Sequence, residues 1–565
     1  MSAAPSSTVT ITVDGRDYQV PAGVNLIDAL HDVGIEVPHY CYHPKLTVAG
    51  NCRMCLVETG MPLRDRATGQ PVLEADGKPK IGWGPKPAVA CTTNCTNGLN
   101  VRTNTPLVKD CQQGVMEFLL VNHPLDCPIC DQAGECKLQE FATDFGRGYS
   151  RFIEEKNVKP KRTQLGPRVT LDDERCILCS RCVRFCQEIA KDDVLGFIDR
   201  GSHSTLTCYP GKELANNYSL NTVDICPVGA LTSTDFRFKM RVWFLKPTPS
   251  ISTESSVGVN TTVWSREGKI YRITPRDNDA VNDCWMSDSA RDLYKPVEDP
   301  GRIDFFAVDN CKTSPDQALA RAAELLKAGG VGYVGSAHSS LEEQFLLRQI
   351  IGLEPGPVAF TAPKRQGDGL LISNDATPNL RGAFLTGLLK DAPAGVADVR
   401  AEAISGAIKT LLVIHEDLAT LGFTDELLRK VQVIYVGTHA NRTSDLAQVV
   451  LPGLTVFEKT GSFVNQQWRV QRFFQAVPGP AGTVPDAQLL AQILARLSSA
   501  PAVVTSPEAL WTSLAARVPQ LAGWTWGVLG SLGKVLDASA WAHVPFGEGS
   551  SLHYDPAALT AVKAG

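Results

Sequence analysis

Residues 176–182, Cys176-Ile177-Leu178-Cys179-Ser180-Arg181-Cys182, place a cysteine at every third position, and Cys226-Pro227 adds a fourth further along the chain. Three thiolates so spaced can wrap three corners of a [4Fe–4S] cube, and a distant Cys-Pro is the usual fourth ligand. Cys186 extends the run to Cys-x2-Cys-x2-Cys-x3-Cys, but in two-cluster ferredoxins that last cysteine serves the other cluster. No second Cys-x2-Cys-x2-Cys exists here, so Cys186 reads as a small buried apolar residue.

Upstream lies a second set, His123-x3-Cys127-x2-Cys130-x5-Cys136. Three cysteines this close leave a cube one ligand short, and His123 stands where a preceding helical run turns into the loop. Cys111 is a rival fourth ligand, and a zinc site of three cysteines and one histidine has the same spacing. The first set is Cys41-x10-Cys52-x2-Cys55-x35-Cys91, one close pair with a single thiolate brought in from either side. Four thiolates arranged this way suit a [2Fe–2S] cluster. A structural zinc is the bland alternative, but four-cysteine zinc sites usually hold two close pairs. Cys41-Tyr42-His43 imitates half of a Rieske motif, yet Cys52-Arg53-Met54-Cys55 has a cysteine where the second histidine should be, so His43 reads as a local hydrogen-bonding or surface residue. Cys95, Cys111, Cys186, Cys208, Cys284 and Cys311 remain, and packing is the default reading for each.

Composition sets the frame around these motifs. The chain has 565 residues, 43% of them apolar, and a net charge of −5 from 55 basic and 60 acidic side chains. It has the texture of a soluble globular protein of roughly three to four domains, without the basic footprint of a nucleic-acid binder. No apolar run reaches the roughly 18 to 20 residues that span a bilayer. The start, Met-Ser-Ala-Ala-Pro-Ser-Ser-Thr, lacks the basic and apolar regions of an export signal, so a chain not exported by that route is expected. All seventeen cysteines fall between Cys41 and Cys311. Clustering of that kind in a large, unexported chain favours metal over disulfides.

Residues 8 to 20 alternate as two half-buried strands, with Val9, Ile11 and Val13 on one face and Asp14-Gly15 at the turn. Asn25 can cap a short helix carrying Leu26, Ile27, Leu30 and Val33, stopped by Gly34. Val115 to Val121 reads as a helix ended by Pro124, and residues 155 to 168 as a basic, proline-bearing surface connection. Beyond about 245, apolar runs such as Thr410–Ile414 and Val433–Val436 alternate with amphipathic helical stretches such as 341 to 352, an α/β pattern with a mostly parallel sheet. Gly330-Val331-Gly332-Tyr333-Val334-Gly335 fits G-x-G-x-x-G, but its glycines fall before and inside the strand rather than after it, so no dinucleotide site is expected.

The three sets in this order resemble the G-type iron–sulfur subunit family of bacterial NADH-quinone oxidoreductase, respiratory complex I. The matching segments are Cys41-Tyr42-His43-Pro44, Gly50-Asn51-Cys52-Arg53-Met54-Cys55-Leu56-Val57-Glu58, His123-Pro124-Leu125-Asp126-Cys127-Pro128-Ile129-Cys130-Asp131, Cys176 to Phe185, and Cys226-Pro227-Val228-Gly229-Ala230-Leu231. Looser likeness continues through Ala447 to Gly453 and Glu458 to Asn465 toward a molybdopterin-oxidoreductase fold. The resemblance implies a multidomain α+β and α/β chain: a β-grasp [2Fe–2S] ferredoxin-like domain over 1–105, a [4Fe–4S] domain with one histidine and three cysteine ligands over 106–150, a ferredoxin-like [4Fe–4S] domain over 151–244, a molybdopterin-oxidoreductase-like domain without cofactor over 245–500, and a tail of unassigned role over 501–565. It implies that His123 is an iron ligand. It also implies a relay subunit on the cytoplasmic side of the bacterial inner membrane, in the peripheral arm of the complex. Electrons would come from a flavin-bearing, NADH-binding subunit and leave toward a two-cluster ferredoxin-like subunit, with neither NADH nor quinone bound by this chain. Some relatives hold an additional [4Fe–4S] cluster after residue 245, but the matching positions here are Ser252, Ser255, Val259 and Ser287, so that cluster is expected to be absent; molybdopterin is expected to be absent as well, because no cysteine lies beyond Cys311 and no catalytic residue set stands out in the large domain. The rival readings are an electron-input subunit of a soluble NAD(P)-linked hydrogenase or formate dehydrogenase, whose further motifs do not appear, and a zinc-bearing scaffold.

Overall fold

The structure is a computed structural model that describes residues 7–390, 395–500 and 506–557. Met1 to Ser6, part of the stretch read for an export signal, and residues 501–505 and 558–565 of the carboxyl-terminal segment lie outside those described. The chain forms two compact units, Met1–Phe244 and Leu245–Gly565. No helix among the described residues is long and apolar enough to cross a membrane.

The first unit opens with the hairpin β1 (Thr8–Val13) and β2 (Arg16–Pro21), whose Asp14-Gly15 turn has positive φ at both residues. Helix α1 (Leu26–Asp32) follows, capped by the Asn25 side chain on the Ile27 N–H. Strands β3 (Leu56–Pro62), β4 (Ile81–Trp83), β5 (Ala88–Val89) and β6 (Asn100–Arg102) complete a mixed sheet ordered β2-β1-β6-β3-β4, with β5 beside β3. Ile11, Val13, Val20, Val57 and Val101 bury Leu26, Ile27 and Leu30 of α1, which fixes the loops at that end of the sheet. Two helices come next, α2 (Pro106–Leu120), capped by Thr105, and α3 (Lys137–Phe145). The helix read from Val115 onward therefore begins nine residues earlier, at a Thr-Pro start. The rest of the unit is built from β7 (Thr163–Gln164), β8 (Val169–Leu171), α4 (Arg181–Glu188), β9 (Leu195–Ile198), β10 (Thr205–Cys208), α5 (Asn221–Asp224) and β11 (Leu231–Ser233).

The second unit begins with an antiparallel sheet of β12 (Lys246–Ile251), β13 (Asn260–Arg266) and β14 (Lys269–Pro275). Its main sheet runs β16 (Cys311–Thr313), β15 (Phe306–Val308), β21 (Val449–Pro452), β20 (Gln432–Gly437), β19 (Thr410–Ile414), β17 (Val331–Ser336), β18 (Val358–Thr361), with the strands from β21 to β18 parallel. The helices are α6 (Asp288–Arg291), α7 (Pro315–Lys327), α8 (Leu341–Leu353), α9 (Leu380–Leu385), α10 (Val396–Ser405), α11 (Asp425–Lys430), α12 (Arg442–Leu446), α13 (Asp486–Ser498) and α14 (Pro507–Arg517). A smaller sheet is made by β22 (Gly461–Val464), β23 (Arg469–Phe473) and β24 (Lys534–Val535).

Two features depart from the one-sided patterns read in the sequence. Helix α8 is covered on most of its surface, with Glu342, Glu343 and Gln344 buried along with Leu341, Phe345, Leu346, Leu347 and Ile350. The described carboxyl-terminal residues supply Trp511, Leu514, Leu521, Trp526, Leu529 and Leu536 to the same core, and Trp541 stacks on Trp468 at 4.4 Å. That segment closes the core rather than trailing from it. In β17, a Cβ on Gly335 would stand 2.7 Å from the Phe360 ring, so strand packing alone calls for this glycine.

Candidate metal centres

All three cysteine sets lie in the first unit. Cys41 sits on the loop after α1, Cys52 and Cys55 on the loop entering β3, and Cys91 in a single 3-10 turn after β5. Pairing of Leu56 with Val89 brings the last two together, and the Ala90 N–H donates to the Cys55 carbonyl at 3.0 Å. Asn25 ties the helix to this turn as well, its Nδ2 donating to the Cys91 carbonyl at 2.5 Å. Arg53 at φ 59° curls the Cys52–Cys55 loop, and the Asn51 and Cys52 N–H groups point at the Cys41 sulfur. The four thiols lie side by side: Cys41 hydrogen-bonds with Cys52 and Cys91, and Cys55 with Cys91. S–H donation from its neighbours holds Cys41 well below a thiol's usual range, and the same contacts push Cys52 and Cys91 up. Such a set cannot carry four negative charges unaided, and a metal core is what would let it. His43 accepts locally from the Lys45 N–H at 3.2 Å, and burial, then Arg181 and Arg184, lower it to about 3.

In the second set, α2 delivers His123, Cys127 opens a 3-10 turn through Ile129, and Cys136 stands at the head of α3. The Leu138 and Gln139 N–H groups of that helix end donate to the Cys136 sulfur, a geometry that favours a thiolate, while burial raises the free thiol to about 11. Burial, then Arg175, lowers the His123 imidazole to about 4, so the ring is neutral at pH 7 and able to ligate. Arg175 is an electrostatic neighbour of both His123 and Cys130 and is itself held by Asp126 at 2.9 Å and Asp172 at 3.2 Å. Arg241 donates to the Pro128 and Cys130 carbonyls. Cys111, half-buried on α2, has no hydrogen bond to Cys127, Cys130 or Cys136 among the described residues.

The third set is wound more tightly. Leu178 and Ser180 take positive φ, 55° and 61°, which turns the chain twice between Cys176 and Cys182. N–H groups of Leu178 and Arg181 donate to the Cys176 and Cys179 sulfurs, and those of Val228, Ala230 and Leu231 to Cys226. All four cysteines line one small cavity with Ile177, Phe197, Leu206 and Val228. Burial raises Cys176 to about 12, Cys179 to about 11, and Cys182 and Cys226 as well. Arg181 shares this cavity with its Nε–H buried and unpartnered. Four thiols lining one cavity, beside a buried donor without a partner, fit a sulfide-bearing cluster. Cys186 is fully buried, its electrostatic neighbours being Asp192, Cys208 and Asp193.

Residues other than the candidate ligands join the sets to one another. Arg184 donates to the Cys41 and Thr47 carbonyls, Arg181 to those of Tyr42 and Ile225, and Asn51 to Leu178. From the third set to the second, the Lys137 N–H donates to the Pro227 carbonyl at 3.0 Å, one residue from Cys136 at one end and from Cys226 at the other. A Cβ on Gly229 would stand 2.4 Å from the Cys130 sulfur, so only glycine lets the Cys226 turn approach that closely. Tyr40 is buried, and its hydroxyl is raised by burial, then by Cys136 and Cys52. Spacing could not announce these residues, although Arg181, Arg184 and Gly229 lie inside the quoted segments. Of the leftover cysteines, Cys95 is buried and the Cys208 thiol donates to the Leu165 carbonyl at 3.2 Å, but Cys311 is exposed on β16, against a packing role.

In the second unit Ser252, Ser255, Val259 and Ser287 are all buried. The Ser255 hydroxyl donates to the Leu371 carbonyl at 3.3 Å and that of Ser287 to Glu254.

Comparison with known proteins agrees with this arrangement. Residues 6–106 match a 2Fe-2S iron-sulfur cluster binding domain. Residues 112–151 match an NADH-ubiquinone oxidoreductase-G iron-sulfur binding region, and 166–232 the ferredoxin-like domain of NADH-quinone oxidoreductase subunit 3. Residues 245–295 match an NDSU1/NuoG-like 4Fe-4S domain and 376–496 molybdopterin oxidoreductase. The chain is therefore an iron–sulfur protein with 2Fe–2S and 4Fe–4S binding domains ahead of a molybdopterin-oxidoreductase domain. The G-type subunit of NADH-quinone oxidoreductase from Rickettsia conorii is 38% identical over 350 residues, 61% of this chain and 49% of that protein. The mitochondrial NADH dehydrogenase [ubiquinone] iron-sulfur protein 1 of Solanum tuberosum is 41% identical over 290 residues, 51% of this chain and 36% of that protein. This chain is a homologue of the G-type subunit of NADH-quinone oxidoreductase. It spans about half the length, or less, of these relatives.

Proposed function

We propose that the chain is the electron-relay subunit of an NADH-quinone oxidoreductase. Cys41, Cys52, Cys55 and Cys91 hold a [2Fe–2S] cluster, Cys176, Cys179, Cys182 and Cys226 a [4Fe–4S] cluster, and His123, Cys127, Cys130 and Cys136 a second [4Fe–4S] cluster. When bound, these clusters supply one-electron chemistry and no bond-making step. The residues of the chain place them, exclude water and tune their charge.

One observation supports this reading above the others. The three sets are joined in a fixed order by hydrogen bonds: the Arg184 and Arg181 side chains connect the Cys41 loop to the Cys176–Cys182 turn, and the Lys137–Pro227 backbone hydrogen bond connects that site to the Cys136 helix end. A zinc scaffold needs no such sequence of contacts. Exposed Leu125 and Ile129 on the second loop give an apolar face for a partner at the far end. In this proposal the donor is a flavin- and NADH-binding subunit and the acceptor a two-cluster ferredoxin-like subunit. The chain lies in the peripheral arm on the cytoplasmic side of the bacterial inner membrane, meeting the membrane only through the complex. No cluster occupies Ser252, Ser255, Val259 and Ser287, because valine cannot ligate iron and the serine hydroxyls at 255 and 287 are spent on Leu371 and Glu254. No molybdopterin is bound.

The test is stepwise reduction of the anaerobically purified chain followed by EPR, with Cys55→Ser, Cys130→Ser and Cys179→Ser beside the wild type. Each variant is expected to alter or remove one cluster's signal and leave the other two. A wild-type chain with no paramagnetic signal at any potential would refute the proposal.

A further inference from the structure

Arg181 opens helix α4, between Ser180 and Cys182. Its Nη1 donates to the Ile225 carbonyl at 3.2 Å and its Nη2 to the Tyr42 carbonyl, each carbonyl belonging to the residue beside a cysteine of a different set. Its Nε–H is buried without a partner, and the side chain lines the cavity of the four cysteines. No carboxylate pairs with it among the described residues, and its nearest titratable neighbours are Cys179, Cys226 and Cys41, with a second guanidinium, Arg184, close by. A guanidinium does not shed its proton, and a charge drawn from water without a counter-charge is costly. Arg184 differs, because its Nε, Nη1 and Nη2 all have acceptors: Ser180 Oγ and the Thr47 and Cys41 carbonyls.

We propose that Arg181 is a positioning residue that raises the reduction potential of the four-cysteine cluster and couples it to the Cys41 site by bridging the backbones beside Cys226 and Cys41. The inference rests on the reading that these sites hold clusters. Reduction adds one electron, and so one negative charge, to the cluster, and a fixed positive charge against it favours the reduced form. The buried Nε–H, without a partner on a residue that lines the same cavity, is left over as a hydrogen-bond donor.

The test compares the full chain as wild type, Arg181→Gln and Arg181→Lys, each purified anaerobically and analysed for iron. Each is titrated with dithionite as electron donor in the presence of mediators and followed by EPR. In Arg181→Gln the four-cysteine cluster is expected to shift at least tenfold toward the oxidised form at the wild-type midpoint, ~59 mV for one electron. The histidine-bearing cluster should move less, and Arg181→Lys should recover most of the shift. An unchanged midpoint in Arg181→Gln, with its iron content intact, overturns the inference. If Arg181→Gln loses that cluster, Arg181→Lys decides: a retained cluster near the wild-type midpoint supports a role for the charge, and its loss shows a purely structural role and overturns the inference. A wild-type chain without iron would instead bring down the cluster assignment itself, which keeps the two failures apart.

Discussion

His123 differs from the cysteines grouped with it in bringing no charge to a metal. Its ring, lowered to about 4 by burial and then by Arg175, is neutral over the physiological range, whereas each thiolate adds one negative charge. His123→Cys is therefore expected to lower the potential of the second cluster, each ~59 mV being tenfold in a one-electron equilibrium. A mediated redox titration followed by EPR measures it, and a midpoint that stays put or rises counts against His123 as a ligand. At this scale the sequence was most legible where chemistry and spacing coincide, as in Cys176, Cys179 and Cys182. It was least legible where a residue acts through the backbone of a distant segment. Arg181 and Arg184 meet Tyr42 and Cys41 across some 140 positions of chain, and no local pattern encodes that encounter. Gly229 is similar: its neighbour is Cys130, and the demand for glycine comes from that sulfur rather than from its own φ.

Helix α8 carries the corresponding lesson for elements. Its apolar spacing marks a helix, but the sequence around 341 gives no sign that α13, α14 and β22 cover its remaining faces. The buried Glu342 is the consequence. Its carboxylate accepts from the Ser462 N–H at 3.0 Å, the Ser462 hydroxyl at 2.7 Å and the Trp511 indole N–H at 2.8 Å, tying α8 to β22 and α14. Burial raises this carboxyl above its ordinary value, with Ser462 and Trp511 pulling it back. A folded pKa above the unfolded one means that folding takes up a proton between the two. The stabilising share from this group is thus full at low pH and falls as pH rises from the ordinary glutamate value through the raised one. Glu342→Gln should flatten that dependence. It should also cost about 1–3 kcal/mol at neutral pH, because an amide N–H₂ would face a donor. Urea midpoints across a pH series measure both effects, and a variant as stable and as pH-sensitive as the wild type would contradict this role.

Over the whole molecule, chemistry and bulk are separated: the three candidate centres lie in Met1–Phe244, while Leu245–Gly565 contributes a mostly parallel sheet and a core that its carboxyl-terminal segment completes. The change beyond about 245 to apolar runs alternating with helical stretches made that division visible in the sequence, and the parallel sheet was legible in runs such as Thr410–Ile414. The closing role of residues 506–557 was not, because Trp526 and Trp541 fall in single 3-10 turns and, like Trp511 on α14, find their partners only in the folded core. The most direct check of the central claim is the metal and acid-labile sulfide content of the anaerobically purified chain. Two cubes and one [2Fe–2S] cluster predict about ten irons and about ten sulfides per chain. Zinc in place of iron, or iron without sulfide, would contradict it.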